Sequence, residues 1–279
     1  MSWFEALIAG IIQGVTEFLP ISSSGHLVIY GELFGEGGGG SLAFTVFLHF
    51  ATLVAVIIVY RKDVWLLIRS LFSALGDVFR GKPDFKSPER RYLLMVIIAT
   101  IPAVIVGGAF KLLDLDRMLE NIFVVAVMLI ATAVLMFFVD RAKEGKLTAA
   151  NAPLGTALFI GIFQAIAILP GLSRSGSTIF AGVSGGFRKE FAVRFAFILS
   201  IPAILGACIL ELKDALEAGG AGTAPGNLAA GFIGALIFGI LSIRVIRTLI
   251  KSKKFFIFGI YCLCASAFAF LVGFGVIHT

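Results

Sequence analysis

The sequence predicts an all-α integral membrane protein: six transmembrane helices plus two re-entrant helix hairpins, arranged as an inverted-topology repeat in a single membrane domain, residues 1–279. Three observations carry this reading. The chain of 279 residues is 59% hydrophobic and 14% charged, with a mean hydropathy of +1.02, whereas a soluble domain holds roughly 25% charged residues. Six apolar runs approach the ~20 residues that cross ~30 Å of hydrocarbon. One segment also recurs. Gly10, Ile11, Gln13, Ser22, Ser24 and Gly25 return 151 positions later as Gly161, Ile162, Gln164, Ser173, Ser175 and Gly176, with Pro20 slipping by one place to Pro170.

Taken in order, Trp3–Phe34 is apolar but broken by Pro20 and by Ser22 to Gly25. Gly37–Gly40 reads as a flexible turn, and Leu42–Tyr60 as the first crossing. Val64–Phe79, interrupted by Arg69, Ser70, Ser73 and Asp77, reads as an interfacial amphipathic helix. Leu93–Phe110 and Ile122–Val139 are the next two crossings. Pro153–Phe187 breaks again between Pro170 and Gly176. Phe191–Leu212, Ala229–Ile243 and Phe255–Ile277 complete the six, the fifth at full length if it continues through Arg244 to Ile250. Irregular backbone at membrane depth is tolerated only beside protein or a water-filled cavity, so both broken runs read as re-entrant hairpins. Each half, about 1–140 and 153–279, is then one hairpin plus three crossings. An odd number of crossings inverts the second copy, and paired broken segments point to a site at mid-membrane.

Loop charges agree with this layout. Eighteen cations fall on one side: Arg61, Lys62, Arg69, Arg80, Lys82, Lys86, Arg90 and Arg91, then Arg141, Lys143 and Lys146, then Arg188 and Lys189, and finally Arg244, Arg247, Lys251, Lys253 and Lys254. Lys111, Arg117 and Lys213 fall on the other. The positive-inside rule assigns the eighteen to the cytoplasm and both termini to the outside. The net charge of +6 is spread over these loops, which excludes a nucleic-acid partner. No basic region precedes the first apolar run, so no cleavable signal peptide is expected. Cys208, Cys262 and Cys264 lie in apolar stretches and read as packing residues rather than a disulfide or a metal site.

Two charges lie deep. Glu17 alone among the acids lies deep in an apolar run, Glu5 being near the terminus and Glu32 near a half-helix end, and Arg174 stands at the second kink; Arg194, one turn inside a helix end, is explained by snorkelling. Intramembrane charges are functional hypotheses whose partner must be named, and the repeat makes Glu17 and Arg174 partners. Around them gather Ser22, Ser23, Ser24, Ser173, Ser175, Ser177 and Thr178. Both kinks precede a half-helix, whose free N–H groups favour an anion. A phosphate or diphosphate, gripped by the Arg174 fork and by hydroxyls, is the implied ligand. His26 follows the first kink directly, while His49 reads as packing or function alike and His278 is terminal. Hydroxyl, base and anion clamp together suit phosphoryl transfer or hydrolysis. Gln13 and Glu17, four apart on one helix face, could orient a nucleophile or, with substrate oxygens, hold a hard divalent cation such as Mg or Ca.

Gln13-Gly-Val-Thr-Glu17-Phe-Leu-Pro20-Ile-Ser-Ser23-Ser-Gly-His26 resembles the (E/Q)xxxE and P-x-S-S-x-G-H motifs of the undecaprenyl-diphosphate phosphatases, the bacitracin-resistance protein family. Pro170-Gly-Leu-Ser173-Arg174-Ser175-Gly-Ser-Thr178 resembles that family's PGxSRSxxT motif. The resemblance implies hydrolysis of undecaprenyl diphosphate to the monophosphate carrier of cell-wall peptidoglycan synthesis. It implies a multi-pass protein of the bacterial plasma (inner) membrane, with membrane lipids and a polyprenyl diphosphate as partners and a homodimer as one assembly. It places Gln13, Glu17, Ser23, His26, Ser173, Arg174 and Thr178 on the family's functional positions; together with the hydroxyl cluster, Glu17, Ser23, His26 and Arg174 are the expected catalytic residues, and Gln13, Ser22, Ser24, Ser173, Ser175 and Thr178 the expected substrate contacts. Glu17 would share any metal with the substrate phosphates. Ser23 is the expected nucleophile with His26 or Glu17 as base; attack by His26 or by water stays open. The site is expected to open to the outer, periplasmic face. A transporter or flippase of a lipid phosphate is the competing reading.

Overall fold

The computed structural model describes residues 1–34, 42–81, 87–113, 121–217, 224–252 and 254–277. The Gly37–Gly40 turn, the cations Lys82, Lys86, Arg117 and Lys253, His278 and the side chain of Lys213 lie outside the described residues. Among the described residues there are eleven helices: α1 Trp3–Phe18, α2 Ser23–Phe34, α3 Leu42–Val59, α4 Arg61–Phe79, α5 Pro88–Leu112, α6 Ile122–Arg141, α7 Leu154–Ile166, α8 Arg174–Ser184, α9 Lys189–Glu217, α10 Pro225–Ser252 and α11 Phe256–Gly273.

Five of these, α5, α6, α9, α10 and α11, are long and apolar enough to cross a membrane, and α3 makes a sixth when taken with α4, from which it is bent by 89°. Their outward faces carry large apolar side chains; Val104 and Ile105 on α5 are each 65% exposed, which suits lipid rather than water. The chain is a multi-pass membrane protein. The fifth crossing does continue through Arg244, reaching Ser252. The helix read as Val64–Phe79 begins at Arg61, and Trp65, Phe72 and Phe79 stand exposed along it. That face suits an element lying in the interface.

Neither broken run contains a full crossing. With 16 and 12 residues, α1 and α2 rise about 24 and 18 Å; α7 and α8, with 13 and 11, rise about 20 and 17 Å. All fall short of ~30 Å. The first half of each broken run packs along a crossing from the other half of the chain, α1 along α10 and α7 along α5. Glycines allow this contact. A Cβ on Gly10 would strike the carbonyl of Gly231, and one on its counterpart Gly161 would strike that of Ala99. Helices α6 and α11 pack on each other behind the kinks, and α3 runs beside α9 and α10.

Arg194 corrects the snorkelling expectation: its guanidinium donates to Asp63, a carboxylate only 9% exposed at the start of α4. A near-buried carboxylate needs a partner more than an interfacial cation needs water.

Candidate active site

The first kink is built on Ser22. After α1 ends at Leu19, the chain turns through Pro20 and Ile21 to Ser22, which has φ +68°, the only positive φ of a non-glycine residue among those described. An L-residue held there costs on the order of 1–3 kcal/mol and persists where its surroundings fix it. The surroundings are visible. Ser22 Oγ accepts from Gly25 N at 3.3 Å and lies 3.3 Å from Ser24 Oγ, while its carbonyl accepts from His26 N and is 2.7 Å from His26 Nδ1. Ser22 thus caps α2.

The second kink repeats the cap. Ser173 Oγ accepts from Gly176 N at 3.1 Å and lies 3.1 Å from Ser175 Oγ. Here the left-handed residue is Gly171, φ +91°, where the conformation suits glycine. Each kink is also held from behind. Thr132 of α6, fully buried, donates to Gly171 O at 3.0 Å and accepts from Ser173 N at 2.9 Å. Cys262 of α11 donates to Pro20 O at 3.6 Å.

The two kinks meet at Glu17. Arg174 Nη2 donates to Glu17 Oε1, and the other oxygen, Oε2, accepts from Ser23 Oγ at 2.9 Å and from Gln13 Nε2 at 3.0 Å. Ser175 Oγ donates across the junction to Leu19 O at 3.3 Å. Glu17 is buried, whereas the Arg174 side chain is 23% exposed, so part of its five-donor fork remains available. A cleft of about 310 Å³ opens over this junction, lined by Thr16, Glu17, Ser22, Ser23, Ser24, Ser173 and Arg174 from the kinks and by His49, Ile204, Ala207 and Glu211 from α3 and α9. Two serine-capped helix N-termini, a guanidinium and several hydroxyls therefore face one volume, an arrangement suited to an anion.

Some expected residues stand elsewhere. His26 stacks on Tyr261, its Nε2 2.7 Å from the phenol oxygen, and faces a neighbouring groove rather than the cleft. With Nδ1 donating to Ser22 O, Nε2 accepts from Tyr261. Gln13 lines that same groove. Thr178 is buried, and its hydroxyl donates to the carbonyls of Arg174 and Ser175 in its own helix, a common fate for threonine in apolar helices. Ser177 is fully buried. Conversely, Thr132, Tyr261, His49 and Glu211 were not read as site residues. His49 Nδ1 and Glu211 Oε2 are 3.8 Å apart on the cleft wall. Signals exist for His49 and for Glu211, ionisable residues inside the runs Leu42–Tyr60 and Phe191–Leu212.

The protein donors alone do not make a closed divalent-cation site; a cation here would be held by Glu17 together with substrate oxygens and water. Such an ion takes six or more oxygens. The described residues hold no cluster of three or more acidic, histidine or cysteine side chains, and the oxygens of Glu17 already accept three donors.

The chain matches the family described as Bacitracin resistance protein BacA over residues 6–268. Among curated relatives, it is 42% identical over 276 residues to an undecaprenyl-diphosphatase of Methanobrevibacter smithii, covering 97% of this chain and 98% of the other. It is 38% identical over 263 residues to the undecaprenyl-diphosphatase of Alkaliphilus metalliredigens, with 94% and 95% covered. It is 40% identical over 271 residues to that of Bacteroides fragilis, again with 94% and 95% covered.

Proposed function

The chain belongs to the bacitracin resistance protein BacA family and hydrolyses undecaprenyl diphosphate to undecaprenyl phosphate and inorganic phosphate, and on that premise we propose that the reaction occurs in the cleft over the Glu17–Arg174 pair. In a peptidoglycan-making cell the reaction recycles the lipid carrier and opposes bacitracin. The observation that carries the site is Glu17 held between a guanidinium and a hydroxyl, with Ser23 Oγ 2.9 Å from Oε2, within the reach required of a general base.

The diphosphate lies against the remaining Arg174 donors and the capped N-termini of α2 and α8. Ser23 Oγ attacks the terminal phosphorus and its proton passes to Glu17. The bond from that phosphorus to the bridging oxygen breaks, and undecaprenyl phosphate leaves with the bridging oxygen and with the proton that Glu17 took from Ser23, which returns Glu17 to its carboxylate form. Water then attacks the phosphoserine, gives a proton to the Ser23 oxygen, and frees inorganic phosphate. Glu17 serves as acceptor in the first step and as relay in the second. His26 steadies the kink through Ser22 and Tyr261. The prenyl tail follows the groove that Gln13 and His26 share with Ile8, Ile12, Leu27, Leu33 and Leu48, about 260 Å³ and largely apolar. We further propose that the two halves of the chain form an inverted repeat in the plasma membrane, with the cleft open to the outer face. Support comes from the cleft's neighbours His49 and Glu211, which lie far along α3 and α9 from the basic ends of those helices.

Phosphate release by the purified full chain in detergent, given a prenyl diphosphate, tests the reading without any gradient that a carrier would need. Wild-type protein releases phosphate and Ser23→Ala protein does not; release that persists in Ser23→Ala at a tenth of the normal rate or more would remove serine from the nucleophile's role.

A further inference from the structure

Among the described residues, a cavity more cationic than the cleft lies at the other end of α9. A basin of about 510 Å³ is walled by the junction of α3 and α4, the start of α9 and the end of α10. Six cations line it: Arg61, Lys62, Arg188, Arg194, Arg247 and Lys251, against two acids, Asp63 and Glu190. Both acids are engaged, Asp63 with Arg194 and Glu190 with Lys251 at 3.2 Å. Arg247 lies over the Tyr60 ring, 5.9 Å from its centre, which leaves its charge directed by the ring and not cancelled. Arg61, Lys62 and Arg188 have no carboxylate partner among the described residues. A surplus of about four positive charges thus lines one half-open basin.

Topology alone asks for cations in loops; it does not ask them to converge on a cavity. Backbone groups add to the field. Tyr60, the N-cap of α4, provides no side-chain acceptor for the first-turn N–H groups, and Arg61, Lys62 and Asp63 of that turn line the basin. The partial positive charge of these N–H groups, about half an elementary charge, adds to that of the guanidinium groups. Val59, Phe191, Val193 and Ile250 complete the wall, so the volume is polar at one part and apolar at another.

This basin is remote from the cleft. Along α9, Arg194 of the basin and Glu211 of the cleft are 17 residues apart, about 25 Å at 1.5 Å per residue. We infer that it is a second anion site, built for a phosphate group either free or carried on a lipid, at the cation-rich end of the bundle. Guanidinium groups take such an oxyanion bidentately, and lysines take it as point charges.

The test uses full-length protein in detergent with Arg174→Gln, which removes the cleft's own clamp. Inorganic phosphate and farnesyl phosphate serve as separate probes in calorimetric titrations. Arg174→Gln protein is expected to bind at least one of them, and adding Arg61→Gln with Arg188→Gln is expected to weaken that binding at least tenfold. Lys62→Gln with Arg188→Gln, which also disturbs no intramolecular ion pair, should act in the same direction. Binding of inorganic phosphate alone identifies a free-phosphate site; binding of farnesyl phosphate only identifies a lipid headgroup site. In a wild-type background the Arg61→Gln/Arg188→Gln protein should hydrolyse prenyl diphosphate within about twofold of normal, because exposed charges more than a Debye length of ~8 Å away are screened. Absence of binding to Arg174→Gln protein, or binding indifferent to both variant pairs, overturns the site. Loss of hydrolysis in the basin variants overturns its separateness.

Discussion

Glu17 accepts from Arg174, Ser23 and Gln13 with two oxygens, so any change around it is felt through what is left unpaired. Arg174→Lys keeps the charge and loses the planar fork, which can hold Glu17 and a phosphate together. We expect kcat/KM for prenyl diphosphate to fall by roughly 100-fold or more, the scale of losing one preorganised oxyanion donor; near-normal turnover would reduce the clamp to a point charge. Ser23 and Glu17 are in contact and act as one unit in the proposed chemistry. Ser23→Ala, Glu17→Gln and the double variant should therefore share a similar loss, of order a thousandfold or more, because such units are grossly non-additive. Multiplicative losses would show that the two act separately. The deep charges were legible from sequence because so few ionisable residues interrupt the apolar runs. The partners of His26 were not: Tyr261 is 235 positions away, and nothing local in the chain announces that contact. The repeat's asymmetry is legible at Ile168, which stands where the first copy has Glu17, whereas only the fold shows Gln164 buried with no hydrogen-bond partner for its amide among the described residues.

At the scale of elements, both kinks depend on a helix behind them. Thr132 of α6 satisfies Gly171 O and Ser173 N with one hydroxyl. Thr132→Val keeps the shape but leaves two buried backbone groups unpaired, each costing about 1–3 kcal/mol. We expect a lower melting temperature in detergent together with reduced hydrolysis, since Ser173 and Arg174 follow directly. Unchanged melting would mean that the kink is held by its own cap alone. This role was invisible in sequence, because an isolated threonine in an apolar helix ordinarily bonds back to its own turn. The elements themselves were legible from hydropathy and from Pro and Ser at the breaks. Helix ends were less so: α5 begins at Pro88 because Ser87 caps it and proline suits the first turn, five residues before the apolar run does. The close approach of α1 to α10 and of α7 to α5 was written in Gly10 and Gly161, but only the folded chain says which carbonyl each glycine admits.

For the whole molecule, charge counting predicts an orientation and the repeat predicts the meeting of the kinks, yet neither says at which end the cleft opens. A hairpin that breaks near mid-membrane is compatible with either direction. The positions along α9 are informative: Lys189 and Arg194 lie at its basic end, while Ile204, Ala207 and Glu211 line the cleft further along. The cleft should then be reached from the side opposite Arg61 and Arg188. Ser24 is an exposed hydroxyl on the cleft wall, suited to a reporter. Of the native cysteines, Cys264 is exposed and Cys208 and Cys262 are buried, so the reporter belongs in a Cys264→Ser background. In that background Ser24→Cys should react with a membrane-impermeant maleimide added to intact cells, whereas Arg61→Cys should react only in inverted vesicles. A prenyl diphosphate should protect Ser24→Cys and leave Arg61→Cys unaffected, since the two positions border different cavities. Labelling of Ser24→Cys from the Arg61 side alone would reverse the proposed direction of opening, and would require the diphosphate to reach Arg174 past the basic end of the bundle.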